Sequence, residues 1–175
     1  RSSGLAELFF SATRPEIELL DGDLFKYRVD FSRLALDEGV GALCVSRPTN
    51  PTGNVLTDSE IDHLDEMAHA RGIPLIIDGA YGLPFPNILF TAARPHWNRN
   101  TIVVLSLSKL GLPGVRTGIV VAREEIIQAF ANANGILNLA CGNIGPAIAT
   151  DLFRSGEILS LGDDHIRPFY LARAQ

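Results

Sequence analysis

Gly41-Ala42-Leu43-Cys44-Val45, Thr57-Asp58-Ser59-Glu60 and Ile73-Pro74-Leu75-Ile76-Ile77-Asp78, taken in that order, decide the fold. The first and third are short apolar runs that suit buried strands. Between them, Thr57 and Glu60 have the spacing of a capping box, in which a hydroxyl and a carboxylate satisfy each other's backbone donors at a helix start. Ile61, Leu64, Met67 and Ala68 then recur as one apolar stripe, and Gly72 is placed for a left-handed C-terminal cap. Strand, helix, strand over this length of chain is a parallel crossover unit.

Downstream, Thr101-Ile102-Val103-Val104-Leu105 is β-branched and apolar on both faces, which predicts another strand buried in a parallel sheet. Ser106 to Lys109 then emerge at its carboxyl end, where open α/β sheets bind their ligands. Residues 118 to 122 predict a further strand, and helices are expected near 124–133, 144–155 and 157–174, with Asp163-Asp164-His165 as a helix start. Upstream, residues 16 to 30 alternate as two short strands around the turn formers Asp21-Gly22. Residues 47–54 form a proline-glycine loop, and 79–100 a long connection carrying Pro84, Pro86, Pro95 and Trp97. Asn132, Asn134, Gly135, Asn138, Gly142, Asn143 and Gly145 predict a loop between helices over 132–146, with an approach to a neighbouring subunit's site as the alternative. The fold class is α/β, a three-layer sandwich with a mostly parallel sheet.

With 175 residues, 46% of them hydrophobic and 20% charged, the chain can bury one globular core. Fifteen basic against twenty acidic residues leave a net charge of -5, and no basic run marks a nucleic-acid partner. No apolar run approaches the ~20 residues that cross a bilayer, so no membrane partner is expected. Cys44 falls in a run predicted to be buried, and with Cys141 makes neither a disulfide framework nor a zinc site, which points to a reducing, cytoplasmic setting. His63 and His69 stand six apart, and His96 and His165 have no ligand partners at useful spacing, so no metal is expected. The chain opens at Arg1 without a methionine and stops at Gln175 inside a helical-looking run, which predicts a piece of a longer protein.

Three apolar runs lead into residues fit for chemistry: Val45 to Asn50, Ile77 to Asp78 and Tyr81, and Leu105 to Ser106, Ser108 and Lys109. Alone, Asn50-Pro51-Thr52-Gly53 reads as a turn, Asp78 as a cap, Lys109 and Arg116 as surface cations. If the strands are parallel neighbours, an amide, a carboxylate, a phenol, hydroxyls, an amine and a guanidinium share one rim.

In that order, Asn50-Pro51-Thr52-Gly53, Asp78-Gly79-Ala80-Tyr81-Gly82 and Ser106-Leu107-Ser108-Lys109 with Gly111 to Gly118 resemble the fold type I pyridoxal-phosphate-dependent aminotransferases of class I and II. Cys44 to Asn50, Tyr81 to Pro86 and Ser108 to Gly114 are most similar to the members that act on valine and pyruvate. The resemblance implies pyridoxal 5'-phosphate as cofactor, a small apolar amino acid of the valine or alanine type and a 2-oxo acid as substrates, and a homodimer. It implies that Lys109 joins the cofactor aldehyde and then carries the proton at the substrate's Cα, while Asp78 pairs with the pyridine nitrogen. Asn50 and Tyr81 would bind the phenolic oxygen, and Ser106, Ser108 and Arg116 the phosphate, with Lys109 and Arg116 seven apart, one fewer than in many relatives. Residues 1–175 would then be part of the cofactor-binding large domain, without the upstream phosphate loop and ring-stacking aromatic or the C-terminal small domain. Another enzyme using the same cofactor, such as a carbon–sulfur lyase, and a non-catalytic sensor domain of a transcription regulator are the alternatives.

Overall fold

The computed structural model describes residues 11–174, so the expectations drawn from the two termini, Arg1 and Gln175, lie outside the described residues. The chain divides into two compact units, Arg1–Val40 and Gly41–Gln175. In the first, β1 (Glu16–Leu19) and β2 (Phe25–Arg28) pair antiparallel, with Ile17 opposite Tyr27. The expected turn joins them: the Leu20 N–H donates to the Leu24 carbonyl at 2.9 Å. Gly22 takes φ +73° there, a conformation a Cβ would strain.

In the second unit, β3 (Leu43–Ser46), β4 (Leu75–Asp78), β5 (Thr101–Ser106) and β6 (Gly118–Val121) form one sheet in that order. The first three run parallel and β6 runs antiparallel to β5. Helix α1 (Asp58–Ala70) links β3 to β4 and begins with the expected capping box. The Thr57 Oγ1 accepts from the Glu60 N–H at 3.2 Å, and Glu60 Oε2 accepts from the Thr57 N–H at 2.8 Å. At its other end Gly72, at φ +67°, donates to the His69 carbonyl, and Ile73 donates to that of Ala68. These are the two bonds of a Schellman close, and they aim the chain into β4.

The two faces of the sheet differ. Leu43, Leu75 and Thr101 lie in register, as do Val45, Ile77 and Val103, so they share a face with Leu105. All but the half-buried Val45 are buried. Phe85, Leu107 and Leu110 complete this core with Ala149 and Ile158 from the helices. The opposite face carries Cys44, Ile76, Ile102 and Val104, ending in Ser46, Asp78 and Ser106; apart from the buried Ile102 it is half-buried or open. Cys44 is exposed, contrary to the buried strand its run predicts. An apolar run specifies a strand, but among the described residues β3 has a neighbour on one side only.

No regular element interrupts residues 79–100, which are held by contacts instead. Phe85 is buried edge-on to Phe153, their centroids 5.7 Å apart. Asn87 Nδ2 donates to Asp163 Oδ1 at 2.6 Å, and Arg167 Nε to the Leu89 carbonyl at 2.9 Å.

Helices α2 (Glu124–Asn138), α3 (Ile144–Ser155), α4 (Glu157–Ser160) and α5 (Arg167–Ala174) complete the unit. Two expectations are corrected. The loop predicted over 132–146 shrinks to residues 139–143, because the asparagines pair four apart on the helix surface: Gln128 Nε2 donates to Asn132 at 3.0 Å and Asn138 Nδ2 to Asn134 at 2.7 Å. Asp163, Asp164 and His165 start no helix but lie in a π-helical turn, Leu161–Ile166, between α4 and α5. Its Gly162 packs so closely on the Pro86 carbonyl that a Cβ would stand 3.0 Å from the oxygen.

Candidate active site

The parallel strands β3, β4 and β5 end at Ser46, Asp78 and Ser106, and Ser46 is the register partner of Asp78. The Asp78 carboxylate is half-buried and receives two neutral donors: the Ala80 N–H on Oδ1 at 3.0 Å and the Ser46 hydroxyl on Oδ2 at 3.3 Å. Among the described residues no cation pairs with it.

Tyr81 follows in a turn closed by the Gly82 N–H on the Gly79 carbonyl. A Cβ on Gly82 would stand 2.2 Å from the Arg47 carbonyl oxygen, so only glycine lets this turn reach the end of β3. Lys109 Nζ stands 4.9 Å from the Tyr81 ring centroid, a cation–π contact. The lysine sits in a 3-10 turn, Leu107–Leu110, which Ser106 opens by accepting the Ser108 N–H at 3.1 Å and Gly111 closes at φ +93°. Leu107 and Leu110 are buried beneath it, which turns Lys109 outward, half-buried and without a carboxylate partner among the described residues.

Arg116 takes a left-handed φ of +46° after the turn Pro113–Val115, and this folds it back over the lysine's turn. Its Nη1 donates to Ser108 Oγ at 3.3 Å and to the Pro113 carbonyl at 3.2 Å. The seven-residue spacing from Lys109 thus spans a compact double turn. The geometry joins Asp78 to Ser46, Tyr81 to Lys109, and Ser106 through Ser108 to Arg116. Asn50 is exposed at the tip of a loop closed by the Thr49 N–H on the Asn54 carbonyl at 2.8 Å, and no hydrogen bond joins its side chain to the other site residues.

Sequence reasoning missed Ser46 and Arg47. The buried Arg47 guanidinium donates to the Leu56 carbonyl at 2.7 Å, the Arg94 carbonyl at 3.1 Å and Asp58 Oδ1 at 2.6 Å. It holds the Asp58 carboxyl below its ordinary range, helped by Arg94 and opposed by burial. A charged residue directly after an apolar strand was the available signal. Cys44, on the Ser46 side of β3, is exposed as a residue, but partial desolvation of its thiol and then the Asp78 charge push that thiol up. His96 is half-buried, with Nδ1 3.3 Å from Asp62 and Nε2 3.4 Å from Asp65, and its buried Nε2 makes no hydrogen bond. No group of three potential metal ligands occurs among the described residues, and no helix there is long and apolar enough to cross a membrane.

A lysine over a phenol, a carboxylate on the neighbouring strand end and a hydroxyl–guanidinium cluster accord with one family. The chain belongs to the class I and II aminotransferases, whose family model matches residues 8–160. It is 54% identical over 173 residues to the valine–pyruvate aminotransferase of Escherichia coli strain K12, covering 99% of this chain and 42% of that protein. The crystal structure of valine–pyruvate aminotransferase from Salmonella typhimurium LT2 superposes with a TM-score of 0.88 at 54% identity, covering 93% of this chain and 42% of that one. A threonine-phosphate decarboxylase from Sinorhizobium is 36% identical over 99 residues, 56% of this chain and 29% of that protein. The chain thus spans about two fifths of the length of these two valine–pyruvate aminotransferases, and its fold is that of the fold type I enzymes.

Proposed function

We propose that this chain is part of the cofactor-binding domain of a pyridoxal 5'-phosphate-dependent aminotransferase. Its substrates are a small apolar amino acid, valine or alanine, and a 2-oxo acid such as pyruvate. The observation that carries the reading is that Lys109 and Asp78, both half-buried beside one rim, have no ion-pair partner among the described residues. Half-buried charges without counter-charges suit a ligand that supplies them. The donor set fits the cofactor: a carboxylate for a protonated ring nitrogen, an amine for an aldehyde, and two hydroxyls with a guanidinium for a phosphate. The 54% identity to a valine–pyruvate aminotransferase supports the substrate pair.

In this reading Asp78 holds the proton on the ring nitrogen, and Tyr81 with Asn50 donates to the phenolic oxygen. Ser106, Ser108 and Arg116 hold the phosphate, which anchors the ring while substrates exchange. The bound cofactor supplies an electron-withdrawing ring that stabilises the charge left at the amino acid's Cα. Lys109 would hold the cofactor through its amine and, once the substrate's amino group has displaced it, the freed amine would carry the proton from the substrate's Cα. The working unit is a homodimer in a reducing compartment; exposed Ile136, Leu137 and Leu139, together with two free cysteines, accord with both.

The test uses the full-length enzyme. Valine with pyruvate should give alanine and the 2-oxo acid of valine, and Lys109→Ala should lower that rate by about 10⁴-fold. Borohydride reduction should fix the cofactor's mass on the peptide that contains Lys109. Attachment to another lysine, or undiminished turnover by the variant, would overturn the assignment.

A further inference from the structure

We infer that Ser46 is a positioning residue for the cofactor's ring nitrogen, acting through Asp78; the inference rests on the reading just given. An aspartate's terminal torsion is soft, so a single donor leaves its carboxylate free to swivel. The Ala80 N–H, two residues along the same chain, is such a single donor on Oδ1. Ser46 supplies a second donor on the other oxygen, at 3.3 Å, from a different strand. Two donors on two oxygens fix the plane of the carboxylate and leave its remaining lone pairs for an incoming N–H.

The backbone sets up this contact. Ser46 and Asp78 are register partners in a parallel ladder, and the Arg47 N–H donates to the Asp78 carbonyl at 2.9 Å. Side chains of register partners stand on the same face, so the hydroxyl reaches Asp78 without distorting either strand. The Ser46 carbonyl in turn accepts from Thr49 Oγ1 at 3.2 Å, at the root of the loop that carries Asn50. One residue therefore ties the carboxylate to the loop bearing the proposed ligand of the phenolic oxygen. Cys44 reports the same neighbourhood, since the Asp78 charge reaches its thiol.

A positioning role differs from a structural one in which ligand feels its loss. The full-length apo-enzyme is titrated with pyridoxal 5'-phosphate and with a carbocyclic analogue in which the ring nitrogen is replaced by C–H. Ser46→Ala should weaken the cofactor about fivefold, in keeping with one hydrogen bond, and leave the analogue's affinity unchanged. Ser46→Thr should restore parental affinity, and Ser46→Cys, whose thiol is a weak donor of similar size, should behave like Ser46→Ala. Equal weakening of both ligands, or parental affinity in both Ser46→Ala and Ser46→Cys, would overturn the inference. Asp78→Asn separates the two levels of argument. If it too binds the cofactor like the parent, the pairing of Asp78 with the ring nitrogen is what fails. If it binds poorly while the Ser46 variants bind normally, only the role of Ser46 fails.

Discussion

The two faces of the β3–β6 sheet are made of similar strands and do opposite work. On one face Leu75, Ile77, Val103 and Leu105 are buried, the last two in one cluster with Phe85, Ala149 and Ile158. On the other, the same strands end in Ser46, Asp78 and Ser106, half-buried and bonded mainly to neutral donors. The first face is closed by side chains within the described residues, whereas the second holds the groups that, on the proposed reading, a bound cofactor completes. Stability should therefore reside on the first face and ligand binding on the second, and substitutions can separate them.

Phe85→Ala is the most severe test of the buried face. It removes a fully buried ring from between Phe153 and the sheet, and should cost about 3–5 kcal/mol, read as a lower urea midpoint of the apo-enzyme. Lys109→Ala, by contrast, should leave that midpoint within about 0.5 kcal/mol of the parent while removing turnover. Equal loss of stability in both would break the distinction between the faces.

Gly82→Ala should fall between them, because its Cβ would meet a backbone oxygen, the Arg47 carbonyl, and no rotamer can relieve the clash. A cost of about 1–3 kcal/mol is expected, together with weaker cofactor binding, since the displaced turn carries Tyr81. A variant that loses stability but binds cofactor normally would show that the turn is not what places Tyr81.

The buried face was the more legible in the sequence. Thr57 and Glu60 announced the start of α1, Gly72 its end, and the β-branched run at 101–105 the strand beneath Lys109, because capping and strand propensity are written in adjacent residues. The candidate site residues stood in the sequence as motifs following consecutive strands. Its internal contacts were not: Ser46 meets Asp78 thirty-two positions away, a consequence of register that no local pattern encodes. Cys44 failed for a related reason, since an apolar run does not say whether its strand is central or at an edge. The asparagines at 132–138 misled because their turn-forming habit was outweighed by pairing four apart on the helix.

The smallest expected effect concerns the support beneath both faces. Asp58 binds the buried Arg47 guanidinium at 2.6 Å, and its carboxyl is held below the ordinary value of 3.8, first by that hydrogen bond and then against burial with help from Arg94. A carboxyl with a lowered folded-state value binds protons more weakly when folded than when unfolded. Its stabilisation is therefore fully present above the ordinary value and is lost as pH falls through the lower, folded one. Asp58 is also partly exposed, and Arg47 keeps the Leu56 and Arg94 carbonyls, so Asp58→Asn should cost only about 1 kcal/mol at pH 7. The difference between parent and variant in urea midpoint should then narrow steadily as the pH is taken below 3.8. A difference that persisted unchanged into strong acid would mean that the charge of Asp58 is not what holds Arg47, and that the three carbonyl and carboxylate contacts act through shape alone.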